Sequence, residues 1–340
     1  MSIHDTAPAF LKLQTTLQHE AWRMKEPFEI AGQVIENLPL IHLCLSDGNG
    51  HTGHAEAAGM DYDGETLESM SAQLTPLLDR LTSHTRPVDI QDWLPAGGAR
   101  NVLDCALWDL WAKQSGVPVW KRLGLQPWKP TLTAVTIGLG TLEEVVRRAA
   151  GLRQAPLIKI KVDADRHLAY IERIRAAAPH ARLLLDANQA WTLEQLRDLM
   201  PTLQSLGVEA IEQPLARGAD AALADYRSPI PLVADESCLD VSSLVYVESR
   251  YQGINIKLDK CGGLTQALAL AQQARARGLL IMVGNMCGTS LGMAAAFALT
   301  AWADWVDLDG PIMQEQDREH PLSFDADTSI LHPPSTQLWS

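Results

Sequence analysis

Basic residues are scarce in this 340-residue chain: 28 Lys and Arg stand against 41 Asp and Glu, a formal net charge of −13. That balance makes nucleic acid and anionic membrane surfaces poor partners. Cysteine is scarce too. The five residues (Cys44, Cys105, Cys238, Cys261, Cys287) are odd in number and share no motif spacing, which argues against a disulfide framework and for free thiols in a reducing cytoplasm. No His/Cys cluster is visible, so zinc is disfavoured. Long apolar runs are missing: the longest nearly uncharged one, Leu291–Ala303, is too short to span a bilayer and reads as a buried helix. Met1–Leu11 has no basic stretch followed by an apolar one, so no secretory signal is expected and the expected location is cytoplasmic. The length allows a large core and two domains.

Two lysines one residue apart stand out among what is present. Leu157-Ile158-Lys159-Ile160-Lys161-Val162 follows Pro156 and reads as a strand, so Lys159 and Lys161 share one face and Ile158 and Ile160 the other. Alone, this fits an edge strand with solvated lysines as well as a strand whose charges meet anionic partners. Crowding and partial burial would depress a lysine pKa toward the range of a general base. Further on, Asp186, Glu212, Asp235 and Lys257 each end a short apolar run, and from Lys161 these ends recur every 22 to 26 residues. One strand, one helix and two loops per step is the repeat of a (β/α) barrel. Leu132–Gly138, Leu280–Gly284 and Trp305–Leu308 complete eight strands, while Leu142–Ala150, Leu193–Leu206 and Leu264–Arg277 have helical apolar spacing.

In such barrels the chemistry sits at the C-terminal strand ends. Three carboxylates there, Asp186, Glu212 and Asp235, suit a hard cation such as Mg²⁺, with Mn²⁺ as an alternative. Each acid could instead cap the following helix. Lys161 and Lys257 flank the acids with three strands between them. One could remove a proton from a carbon acid next to a carboxylate while the other returns one to the opposite face, the metal stabilising the enediolate.

The chain resembles the enolase superfamily, in its muconate-lactonizing subgroup, and within it the dipeptide epimerases. The resemblance rests on Lys159-Ile160-Lys161, Asp186-Ala187-Asn188, Glu212-Gln213-Pro214, Ala234-Asp235-Glu236-Ser237, the run from Asn255 to Gly263, and the segment from Ala99 to Leu110. It implies an α/β fold, a modified TIM barrel at 126–312 with an α+β cap at 1–125 and a returning C-terminal segment at 313–340. It implies that Lys161 and Lys257 are the acid/base pair, that Lys159 lowers its neighbour's pKa and contacts the substrate carboxylate, and that Asp186, Glu212 and Asp235 hold one Mg²⁺. Asn188 and Glu236 would support these groups from behind. Asp307 and Asp309, on one face of Val306-Asp307-Leu308-Asp309-Gly310-Pro311, match the acid pair that holds the α-ammonium of a dipeptide, with Thr136 as a further substrate contact; a solvated turn is the plain alternative.

The resemblance makes the substrate a small molecule, a dipeptide inverted at its C-terminal residue, and leaves room for a homo-oligomer. Two cap loops would cover the barrel mouth, near Ala31–Glu36 and Ala58–Glu65. Ile35 stands near the place of an arginine that reads glutamate in Ala-Glu epimerases, which argues against that substrate. Ile35, Met60 and Tyr62 suit an apolar side chain, whereas Glu36, Asp61, Asp63 and Glu65 would attract a cationic one. Trp191 follows the Asp186 strand closely enough to line the pocket, and Cys287 reads as loop packing. The alternatives are L-Ala-D/L-Glu epimerisation, a cycloisomerase or o-succinylbenzoate synthase on the same scaffold, and a non-catalytic ligand-binding barrel.

Overall fold

Strands β1 (Gln14–Ile30), β2 (Gln33–Ser46) and β3 (Thr52–Ala57) form an antiparallel sheet. The computed structural model describes residues 11–30, 33–325 and 327–340; all but Leu11 of the Met1–Leu11 stretch read for a secretory signal, and the loop residues Ala31 and Gly32, lie outside them. On β2, Ile41, Leu43 and Leu45 are buried while His42 and Cys44 on the alternate face are half-buried, the period of a strand with one covered face. Helix α1 (Leu67–Leu78) and helix α2 (Gly98–Ser115) cover that face. Helix α2 lies so near β3 that a Cβ at Gly53 would stand 2.2 Å from the Ala106 carbonyl.

Nearly every side of α2 is buried, because it is wedged between the sheet and a barrel. Arg100 donates to the carbonyls of Cys261 (2.8 Å) and Gly262 (3.2 Å), and Asp104 accepts from the Thr265 N–H at 3.0 Å. Gly263, at φ +104°, is where a Cβ would strike Asp104 at 2.5 Å. The Gly262-Gly263 pair is thus a seam for cap and barrel.

After a short strand β4 (Thr131–Leu132), eight parallel strands follow in sequence order: β5 (Val135–Ile137), β6 (Leu157–Lys161), β7 (Arg182–Asp186), β8 (Val208–Glu212), β9 (Leu232–Ala234), β10 (Gly253–Ile256), β11 (Leu280–Val283) and β12 (Trp305–Val306). The two ends of the sheet meet, the Ala134 N–H donating to the Val306 carbonyl at 2.7 Å. All eight expected strands and the three expected helices are present, the helices within a residue or so at Leu142–Gly151, Leu193–Ser205 and Leu264–Ala276. The lysine strand is therefore interior. Period-two alternation sends Ile158 and Ile160 out to the helices and Leu157 into a lumen layer with Ala134, Leu184, Ala210, Val233, Met282 and Trp305. One step further along, the lumen faces become polar.

The chain then returns. Glu315 N–H donates to the Arg23 carbonyl at 2.8 Å, β13 (Phe324–Asp325) pairs with β14 (Ile330–Leu331) and β14 with β4, and Ser340 N–H reaches Asp109 of α2 at 2.9 Å. Among the described residues no helix is long and apolar enough to cross a membrane, and none of the five cysteines is paired.

Candidate active site

Alternation on adjacent parallel strands brings the polar residues two positions above the apolar layer to one rim. Lys159 Nζ lies 2.7 Å from Asp307, 2.7 Å from Glu212 and 3.0 Å from Asp186. Lys161 Nζ donates to Asp186 at 2.6 Å and to Asn188 at 3.0 Å; Lys257, just past β10, meets Asp235 at 2.7 Å. In the order β6-β7-β8-β9-β10, Lys161 and Lys257 stand four steps apart in a ring of eight, on opposite walls. All of these lysines and acids are buried, as is Asp309, so the edge-strand and solvated-turn readings fail. Nor do the acids cap helices: Thr192 caps the helix that follows Asp186, and Ala219 and Asp240 stand at the N-caps of the helical turns that follow Glu212 and Asp235.

The pKa of Lys159 corrects the sequence reading. Burial works against the Lys159 charge, yet Asp307, Glu212 and Asp186 together hold it well above the ordinary lysine value. Lys257 is likewise held up, burial being outweighed by Asp235 and Glu212. Crowding with a second lysine would have lowered them; contact with carboxylates prevails. Among the acids, burial would raise Asp186 and Asp235, but Lys161 and Lys159 in one case and Lys257 and Lys260 in the other pull them below the usual range. Glu212 is pushed up to about 8 by burial and by Asp186.

Six buried carboxyl groups (Asp186, Glu212, Asp235, Glu236, Asp307, Asp309) face four buried lysines (Lys159, Lys161, Lys257, Lys260) at this rim, a formal excess of two negative charges when Glu212, Glu236 and Asp309, which burial pushes up, are ionised. The donors are all oxygen and the surplus matches a divalent cation, so the residues fit Mg²⁺. Among the described residues no three acid, His or Cys side chains form a ready-made cation cage; the Lys159 ammonium stands between Asp186 and Glu212.

Above the rim lies a cavity of about 450 Å³ whose walls include Lys159, Lys161, Lys257, Asp235, Asp307, Asp309, Thr136 and Asn188. Asp309 accepts from the Thr136 N–H at 2.6 Å and is pushed up to about 7 by burial and by Asp307. Glu236, expected behind the ligands, lines the cavity itself; one carboxylate oxygen has no hydrogen-bond partner, and burial and Asp235 raise it to about 7. Asn188, in the left-handed region at φ 41°, holds Lys161 as well as facing the cavity. Ile35, Tyr62, Glu36 and Asp61 line the cap side.

Four sequence expectations change. Met60 is buried outside the cavity wall, and Glu65 spends its carboxylate on the Met60 and Gly98 N–H groups. Asp63 pairs with Arg217. Trp191 is buried, its indole N–H donating to the Asp163 carbonyl at 3.0 Å. Cys287 does lie on the wall, and burial pushes its thiol up to about 11, which leaves it protonated and suited to packing.

Three supporting residues carried no assigned role in the sequence. Lys260 donates to Asp235 Oδ1 (2.6 Å), the Asp235 carbonyl (2.6 Å) and the Asn255 carbonyl (2.8 Å). Asn255 donates to Glu212 at 2.6 Å. Gln213 accepts from the Asp235 and Ser237 N–H groups and donates to Tyr251 and Ser237. The one available signal was a fourth lysine, a helical turn after Lys257.

Fold and site define a capped (β/α) barrel protein with an acid–lysine centre at its strand ends. The chain belongs to the mandelate racemase/muconate lactonizing enzyme family: that family's N-terminal domain matches residues 12–124, and the enolase C-terminal domain-like model matches residues 141–331. An N-acetyl-D-glutamate racemase of Pseudoalteromonas sp is 41% identical, over 84% of this chain and 91% of that one. The L-Ala-D/L-Glu epimerase of Escherichia coli (strain K12) is 40% identical, over 92% and 97%. The solved structure of a dipeptide epimerase from Methylococcus capsulatus, complexed with Mg and L-Arg-D-Lys, superposes with a TM-score of 0.86 at 29% identity, covering 95% of this chain and 98% of that one.

Proposed function

We propose that this chain is a Mg²⁺-dependent dipeptide epimerase, an isomerase that inverts the α-carbon of a dipeptide's C-terminal residue by two-lysine 1,1-proton transfer. The observation that carries the reading is the pair Lys161 and Lys257 on opposite walls of one cavity, with the Asp307/Asp309 acids between the ends of the ring. Asp186, Glu212 and Asp235 would hold the cation, which supplies counter-charge to the substrate carboxylate as its α-carbon loses a proton. One lysine, neutral at that moment, takes the α-proton into its lone pair. The opposite ammonium gives a proton to the other face, so the centre is inverted. Lys159 pairs with the substrate carboxylate, Asn188 orients Lys161, and Asp307 and Asp309 with Thr136 receive the α-ammonium.

The cations on the described cavity wall are the three lysines, while Phe28, Ile35 and Met313 are apolar and Glu36 and Asp61 acidic. A hydrophobic or cationic C-terminal side chain suits this wall better than glutamate. The Pseudoalteromonas relative supports a second reading, the same proton transfer on an N-acylated amino acid, which presents no ammonium to Asp309. The division into cap (1–125), barrel (126–312) and returning segment (313–340) goes with the proposal, as does a cytoplasmic location in keeping with the unpaired cysteines. The test is α-proton exchange in D₂O with Mg²⁺ over pooled L,L-dipeptides, read by mass spectrometry. A gain of one deuterium with inversion at the C-terminal residue is expected. No exchange in any pool, with metal binding shown, would transfer the chain to the cycloisomerase or dehydrating chemistries of the scaffold.

A further inference from the structure

A second cavity, of about 340 Å³, adjoins the first on the side of the acid pair; Phe28, Thr136, Asp309 and Met313 line both. Its remaining wall is mainly apolar, from Ile137, Leu152 and Ile312 among others, and at its outer lip Arg148 pairs with Glu26 at 3.1 Å. Arg148 and Glu26 satisfy each other and Lys25, also on the wall, donates to the Ile312 carbonyl at 2.9 Å, while the rest of the interior offers an apolar surface of the size that small-ligand sites use.

We propose that this chamber receives the side chain of the substrate's N-terminal residue and selects dipeptides that begin with a large apolar residue. The inference rests on the dipeptide reading above. Asp309, which stands on the wall of both cavities, and Asp307, on the wall of the first, anchor the α-ammonium at the threshold between them. The N-terminal α-carbon carries that ammonium, so the group passing into the chamber is the side chain on that carbon. Further backbone is excluded, because a tripeptide would place an uncharged amide against two buried carboxylates. Burying an apolar side chain there stabilises the complex in proportion to the area removed from water.

Gly151 supplies a test away from the reacting groups: it lines the chamber, and a Cβ built on it meets nothing within 4 Å. The measurement is kcat/KM, by α-proton exchange, for L-Phe-L-Leu, L-Ala-L-Leu and L-Ala-L-Ala-L-Leu. Wild-type protein should use L-Phe-L-Leu at least as well as L-Ala-L-Leu and the tripeptide at least tenfold worse. In Gly151→Leu, and independently in Leu152→Trp, the ratio of Phe-Leu to Ala-Leu should fall about tenfold. An unchanged ratio in both variants overturns the chamber, as does a tripeptide turned over as fast as its dipeptide. Exchange with L-Ala-L-Leu but tenfold less with L-Phe-L-Leu also overturns it while leaving the epimerase reading standing. Absence of exchange with every peptide fails the epimerase reading instead.

Discussion

Replacing Asp309 by Asn tests how the site tells a dipeptide from an N-acylated amino acid. Asp309 is 2% exposed, and its carboxylate accepts the Thr136 N–H at 2.6 Å; the amide oxygen of Asn can keep that bond while the charge is lost. Two unit charges about 4 Å apart at an effective dielectric of 20 attract by about 4 kcal/mol. Desolvating the substrate ammonium takes back part of this, leaving about 2–4 kcal/mol. At 1.4 kcal/mol per decade, kcat/KM for a dipeptide should fall roughly 30- to 700-fold. For the N-acetyl analogue, which has no ammonium, the change should stay within about threefold. The pH dependence follows from the same group. Burial and Asp307 raise Asp309 to about 7, and only its ionised form attracts an ammonium. Dipeptide KM should therefore rise as pH falls below about 7, and Asp309→Asn should lack that limb. Deuterium incorporation on both substrates between pH 5.5 and 8.5, about 1.5 units to either side of that value, reads all of this. Equal losses on the two substrates, or an unaltered pH profile, would refute the role given to Asp309.

Lys161→Ala and Lys257→Ala should each lower inversion by at least about a hundredfold while far-UV circular dichroism stays native; a variant that still inverts substrate near the wild-type rate would point to one base. Chelation should abolish exchange, with Mg²⁺ restoring it. At a hundred times its Kd the ion should stabilise the fold by about 2.7 kcal/mol, a rise in Tm of about 4 °C for 340 residues, and calorimetry showing no shift would count against the cation site. Lys260→Met keeps the side-chain bulk but leaves Asp235 and two carbonyls short of a donor. Breaking a buried pair costs about 3–5 kcal/mol, so Tm should drop by roughly 4–7 °C; a loss under 1 °C would show that Asp235 does not need it.

The barrel was legible because its signals are local and repeated. Each strand is a short apolar run ending in a polar residue, and the spacing from Lys161 through Lys257 leaves room for one helix per step. Strand alternation also placed Lys159 with Lys161 before any contact was known, whereas Asp307 and Asp309 lie past the end of β12 and reach the cavity from a loop. The capping residues Thr141 and Thr192 lie in plain S/T-x-x-E/Q patterns. That Lys161 and Lys257 oppose each other follows from strand order, which parallel crossovers make nearly obligatory.

Tertiary structure decided what depends on partners from distant segments. Met60 and Tyr62 are neighbours in a cap loop, yet one is buried outside the cavity and the other lines it. Asp63 and Glu65 read as free acids until Arg217 and the Gly98 N–H claim them. Lys260 belongs to the site through Asp235, 25 residues back. The Lys159 pKa moved opposite to expectation for the same reason. The charge felt by Lys159 is that of Glu212 and of Asp307, 148 residues away. Electrostatic energy depends on distance in space, and a sequence lists distance along the chain.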